Sequence, residues 1–238
     1  TFTVAVDREG KHLYPAVIWM DSRGAPYVEE LVTGRLNVAG YDAFKLRAWI
    51  QKTGGIPSHS GKDPVAHILW LRHERPDVYR AAHAFLEPCD YLNARLTGRQ
   101  VASYDSIVAH WLTDNRDIDN VRYHDRLIHW ATVDRAKLPE LRRAIDILGP
   151  LRPEAARELG LPEGIPVIVG TPDMHSAAVG SGAMAAPAPM PNAASGCRTN
   201  PKLPRQIARS SFPIVPSYVA SPARNVVPAW PRLSRHTM

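Results

Sequence analysis

The sequence predicts a mixed α/β lobe over residues 1–185 and an irregular tail over residues 186–238. Three observations carry this reading. Short apolar runs rich in β-branched residues alternate with segments whose apolar positions recur at helical spacing. One such run, Ile165–Val169, ends in Gly170-Thr171-Pro172 and then a carboxylate, Asp173. Composition also breaks near residue 185: no Asp or Glu follows Asp173, and residues 186–238 hold ten of the 22 prolines.

Taken in order, Thr1–Asp7 and Leu13–Trp19 form a hairpin around Arg8-Glu9-Gly10-Lys11. Tyr27–Leu31 and Ala43–Ile50 are short helices, the second stopping before Gly54-Gly55. Pro64–His73 has the apolar spacing of a helix and is closed by Pro76. Ala84–Leu86 is a strand, and Tyr91–Leu96 is a helix ended by Gly98. Arg122–Ala131 is helical, Ile145–Leu148 extended, and Pro153–Leu159 a helix opened by proline. Ile165–Val169 reads as a buried strand. In residues 186–238 proline removes backbone donors and no apolar period survives, so little regular structure is expected there.

The net charge of +6 belongs to the tail, which carries seven Lys or Arg; residues 1–185 have a net charge of −1. That balance fits a metabolic domain better than a nucleic-acid binder. Two cysteines, Cys89 and Cys197, make no disulfide framework and suit a reducing cytoplasm. Cys89 reads as a small buried residue, not a nucleophile. Ten histidines show no metal-ligand spacing, so no metal site is expected from them. Neither a membrane span nor a signal peptide is expected.

Ligands in open α/β sheets bind beyond the carboxyl ends of strands. Asp173 stands at such a point. From local pattern alone it is either the N-cap of the next helix or a functional carboxylate.

Four segments in order resemble the FGGY carbohydrate kinases, in particular xylulokinase-like members. They are Ala16-Val-Ile-Trp-Met-Asp-Ser-Arg23, Ile68-Leu-Trp-Leu-Arg-His73, Phe85-Leu-Glu-Pro-Cys-Asp-Tyr-Leu-Asn-Ala-Arg-Leu-Thr-Gly98 and Gly164-Ile-Pro-Val-Ile-Val-Gly-Thr-Pro-Asp173. The resemblance implies a ribonuclease-H-like (actin-like ATPase) N-terminal lobe, here truncated. It implies ATP and Mg²⁺ as cofactors and a small sugar as substrate, with homodimerisation open for a complete protein. The activity implied is transfer of the ATP γ-phosphate to a hydroxyl of a ketose or polyol, xylulose first, in the cytoplasm. Asp173 becomes the catalytic base. Trp19, His59 and Met174 become sugar-binding candidates; Trp19 is otherwise a core residue. Asp21 and Arg23 read as a local ion pair, and His67 replaces a lysine of the family signature.

The same resemblance places a first phosphate-binding strand before Thr1 and a nucleotide lobe after residue 185, so the fragment alone is expected to be inactive. The tail then reads either as a basic disordered arm or, preferably, as out-of-frame translation of a GC-rich gene. The competing functional readings are a degenerate remnant that binds sugar weakly and a nucleic-acid binder acting through the basic tail.

Overall fold

The computed structural model describes residues 2–181. The expectations for residues 186–238 and for Cys197 lie outside them. Strand β1 (Phe2–Val6) turns back into β2 (Val17–Ile18), with Phe2 opposite Ile18 and Thr3 opposite Val17. The hairpin is as expected, although its second arm is only two residues long. Helix α1 (Ala25–Val32) buries Val28, Leu31 and Val32. The small hairpin of β3 (Asn37–Val38) and β4 (Tyr41–Asp42) leads into α2 (Ala43–Thr53). Asp42 caps α2, its carboxylate accepting from the Phe44 and Lys45 N–H groups at 3.0 Å each.

Helix α3 (Pro64–Glu74) is buried at every position from Pro64 to Leu71. A helix that is apolar all round belongs in the centre of a domain, and α3 lies in the main core with Val28, Trp49, Phe85, Leu112 and Leu127. Pro76 starts α4 (Pro76–Ala81), which leads to β5 (Ala84–Leu86) and α5 (Pro88–Thr97). Gly98 ends α5, as expected. Next come β6 (Val101–Ser103), α6 (Tyr104–Ile107) and a 3₁₀ turn at Val108–His110. Residues 122–131, expected as one helix, divide into β8 (Arg122–Tyr123), which pairs with β7 (Thr113–Asp114), and α7 (Asp125–Ala131). Strand pairing takes the first two residues out of the helix. The described chain ends with β9 (Glu140–Arg142), β10 (Ile147–Pro150), α8 (Pro153–Leu159), β11 (Pro166–Ile168) and α9 (Asp173–Gly180).

The architecture is mixed α/β. A three-stranded sheet in the order β2-β1-β5 is antiparallel throughout, and β6 and β9 form a parallel pair. The run 165–169 departs from expectation. Among the described residues it pairs only with β10, in a two-stranded ribbon. Pro166 and Ile168 are exposed, and within the run only Val169 is buried, against Val101 and Leu148. Strand side chains project from the two faces, and among the described residues no layer packs over Pro166 and Ile168, so the apolar composition of the run does not translate into burial.

Candidate active site

The antiparallel register fixes which side chains share one end of the three-stranded sheet. Phe2 lies opposite Ile18 and Val4 opposite Leu86, so β1 starts where β2 and β5 end. Trp19 follows β2 at this end, and Glu87 follows β5. Trp19 is 52% exposed, which removes the core reading of this residue. Two residues on, Asp21 and Arg23 form the expected ion pair at 2.5 Å, and the Arg23 guanidinium lies 3.7 Å above the Trp70 ring.

The loop bearing His59 is pinned beside this segment. Gly61 adopts φ +67°, and a Cβ there would fall 2.1 Å from the Ala25 backbone nitrogen, so only glycine fits. The Ser58 N–H donates to the Asp63 carboxylate at 2.6 Å. His59 is half-buried, its ring 4.3 Å from that of Tyr41.

Asp173 is the first residue of α9, and Pro172 occupies the N-cap; the N-cap reading is therefore corrected. Proline has no side-chain oxygen, so it leaves the capping to its neighbour. Asp173 Oδ1 accepts the N–H of Met174 at 2.8 Å, and its negative charge sits in the first turn, where the helix dipole favours it. Both Asp173 and Met174 are exposed, Met174 by 71%. The base of this turn is firmly held. Gly170, at φ +76°, reverses the chain, and its N–H donates to the Ala144 carbonyl at 2.8 Å. Asn93 on α5 donates to the Val169 carbonyl at 2.5 Å. Among the described residues, no hydrogen bond, ion pair or ring contact joins Asp173, Trp19 and His59 to one another.

Glu87 escaped the reading of the sequence: it directly follows the apolar strand Ala84–Leu86, without the Gly-Thr-Pro turn that singled out Asp173. It sits at the N-cap of α5 yet does not cap that helix. Its Oε2 instead accepts the Phe2 N–H at 3.0 Å, and its Oε1 lies 3.9 Å from His110 Nε2. Burial pushes the Glu87 carboxyl up to about 7; the Phe2 N–H pulls it down, while Asp90 and Asp173 add repulsion. Burial likewise raises Asp90 to about 6, against the opposing Ser106 hydroxyl and Ser103 N–H. His67 and His110 are held neutral by burial, at about 4 and about 3. His67 takes no ligand position; its Nδ1 is 3.1 Å from the Thr3 hydroxyl, inside the fold. Cys89 is pushed up to about 12 by burial and by Asp90 and Glu87, which keeps it a thiol.

Among the described residues, no group of three or more His, Cys, Asp or Glu is placed to hold a metal ion, and no helix is long and apolar enough to cross a membrane. Two shallow clefts, of about 420 and 190 Å³, are lined by residues around Arg72 and Tyr79 and around Arg99 and Glu140, and Asp173 lines neither.

Comparison with known proteins converges on one family. Residues 1–180 match the model of the FGGY family of carbohydrate kinases, N-terminal domain. The chain is 29% identical over 180 residues to a xylulose kinase of Streptomyces coelicolor, covering 75% of this chain and 34% of that relative. It is 29% identical over 183 residues to an L-fuculokinase of Escherichia coli K12, with 75% and 35% covered. The solved structure of a xylulose kinase from Rhodospirillum rubrum superposes with a TM-score of 0.65 at 25% identity, covering 77% of this chain and 35% of that one. The chain spans about a third of the length of the curated relatives it matches. Over that span its residues, its element order and its fold agree with one assignment: the chain belongs to the FGGY family of carbohydrate kinases, whose N-terminal domain it carries.

Proposed function

We propose that this chain supplies the sugar-binding and proton-accepting half of an ATP-dependent carbohydrate kinase acting on a ketose or polyol, with xylulose the first candidate. Residues 1–185 form its ribonuclease-H-like N-terminal lobe, and residues 186–238 are a separate Pro- and Arg-rich segment. The observation that carries the proposal is the placement of Asp173. It is an exposed carboxylate in the first turn of a helix, beyond a strand end, on a turn anchored by Asn93 and Val169. Xylulose leads because two of the relatives reported above are named xylulose kinases.

Asp173 accepts the proton of the sugar hydroxyl as that oxygen attacks phosphorus. A positioned carboxylate within hydrogen-bond reach suffices, because phosphoryl transfer asks the protein mainly for positioning and charge stabilisation. Trp19 offers an exposed aromatic face to the C–H surface of the sugar, with His59 and Met174 contributing further contacts. The phosphate charge is a separate matter. Among the described residues no group of three or more His, Cys, Asp or Glu is placed to hold a metal ion, so these residues alone do not fit Mg²⁺.

The test is Asp173→Asn in a protein completed to the length of its relatives. Asparagine keeps the size and an acceptor for the Met174 N–H but cannot take a proton. Turnover is expected to fall by about 10²–10⁴ with sugar affinity little changed. Near-normal turnover would return Asp173 to a purely structural role.

A further inference from the structure

Trp19 and the loop bearing His59 both hang on one short segment, residues 21–25. On one side, Trp19 and Met20 form the centre of a turn that the Asp21 N–H closes by donating to the Ile18 carbonyl at 2.8 Å. The Asp21 carboxylate accepts the Arg23 backbone N–H at 3.0 Å, and it accepts from the Arg23 guanidinium through Nε at 3.0 Å and Nη2 at 2.5 Å. On the other side, the His59 loop rests on the same segment, where Gly61 leaves no room for a Cβ beside the Ala25 backbone. The segment is itself seated on α3 at two points. A Cβ on Gly24 would fall 2.6 Å from the Ala66 carbonyl oxygen, so the two backbones meet there. The Arg23 guanidinium lies 3.7 Å from the centre of the Trp70 ring, and Trp70 packs in turn on Tyr14, their ring centres 5.9 Å apart. Because α3 is buried from Pro64 to Leu71, it is a fixed support for both points. The Arg23 side chain is 51% exposed, and an exposed ion pair adds little to global stability. Its planar fork nevertheless holds a carboxylate bidentately while stacking on an aromatic face, a combination that lysine does not reproduce.

We propose that Arg23 is a positioning residue of the sugar site: lying on Trp70 while it holds Asp21, it fixes together the turn that presents Trp19 and the seat of the His59 loop. The proposal rests on the sugar-site reading above and adds to it the residue that keeps two of its parts in register.

The experiment is backbone amide relaxation by NMR on the full 238-residue chain, followed by titration with xylulose. Wild type is compared with Arg23→Met and Arg23→Lys. Methionine keeps the apolar stem without charge or fork. Lysine keeps a charge for the Trp70 ring without the fork. In wild type the Trp19 and His59 amides are expected to be rigid, with order parameters near about 0.85. In Arg23→Met both should fall below about 0.6, with the α3 amides unchanged and the melting temperature lower by a few degrees at most. Arg23→Lys should lie between the two. Arg23→Met is also expected to bind xylulose about tenfold more weakly, because the sugar must then order both segments. Rigid Trp19 and His59 amides in Arg23→Met, with xylulose binding intact, would overturn the proposal alone. So would loosening of α3 along with them, which marks a general loss of packing, or loss of order at Trp19 without His59, which breaks the shared seat. Failure of wild type to bind xylulose would overturn the sugar-site reading and this proposal together.

Discussion

Burial pushes the Glu87 carboxyl above its usual value, and this has a measurable consequence for stability. Its folded-state value of about 7 lies above the usual carboxyl value of 4.5. Between these two pH values the folded chain therefore binds a proton that the unfolded chain has released. The stabilisation from this group is complete below about pH 4.5 and is lost as pH rises through about 7. His67 and His110 act in the opposite sense. Their folded values near 4 and 3 lie below 6.5, so their contribution is lost as pH falls through that window. The two effects oppose one another between about pH 4.5 and 6.5, and a single melting curve of the wild type hides both. Glu87→Gln separates them. Its melting temperature relative to wild type should rise from pH 4.5 to 7 and then level off, by about 2–4 °C for each kcal/mol removed. A difference that stays flat with pH would mean that Glu87 ionises freely in the folded chain.

At the scale of elements, Gly61 is the position where backbone geometry most directly serves the candidate site. Gly61→Ala should cost at least about 2 kcal/mol, since it combines a left-handed backbone with a clash against the Ala25 backbone. A lower melting temperature and weaker sugar binding would appear together, because the same loop carries His59 against Tyr41. An unchanged melting temperature would show that the loop can leave α1 at no cost.

The sequence was legible where local chemistry decides structure. Pro64, Pro153 and the Gly54 and Gly98 stops placed α3, α8, α2 and α5 to within a few residues. It was less legible where pairing decides. Arg122 and Tyr123 became a strand because β7 lies beside them, and Ile168 is exposed because, among the described residues, no layer covers that face of β11. Periodicity carries no information about either neighbour. The candidate site divides in the same way. Asp173 was visible as a carboxylate after a strand and a Gly-Thr-Pro turn, whereas Glu87 follows its strand directly and carries no such turn signal. His110 joins Glu87 only through a contact 23 positions away, which no local signal announces.

The described residues are unevenly anchored, and the proposed base lies in a helix that buries none of its residues. Eight consecutive residues of α3 are buried, whereas α9 buries none. The ribbon before α9 exposes Ile147 by 69% and Ile168 by 56%, directly opposite one another. Elements with few buried apolar contacts open locally, far below the free energy of global unfolding. Amide hydrogen exchange should therefore grade along the fold. The α3 amides are expected to exchange only through global unfolding, and those of α9 to be the least protected of the described helices. The function proposed above adds a second expectation. If Asp173 and Met174 contact the sugar, xylulose should slow exchange in α9 and leave α3 unchanged, because ligand binding stabilises the local opening it closes. Equal protection of α9 and α3 without ligand would refute the uneven anchoring. Protection of α3 but not α9 by xylulose would place the sugar somewhere other than Asp173.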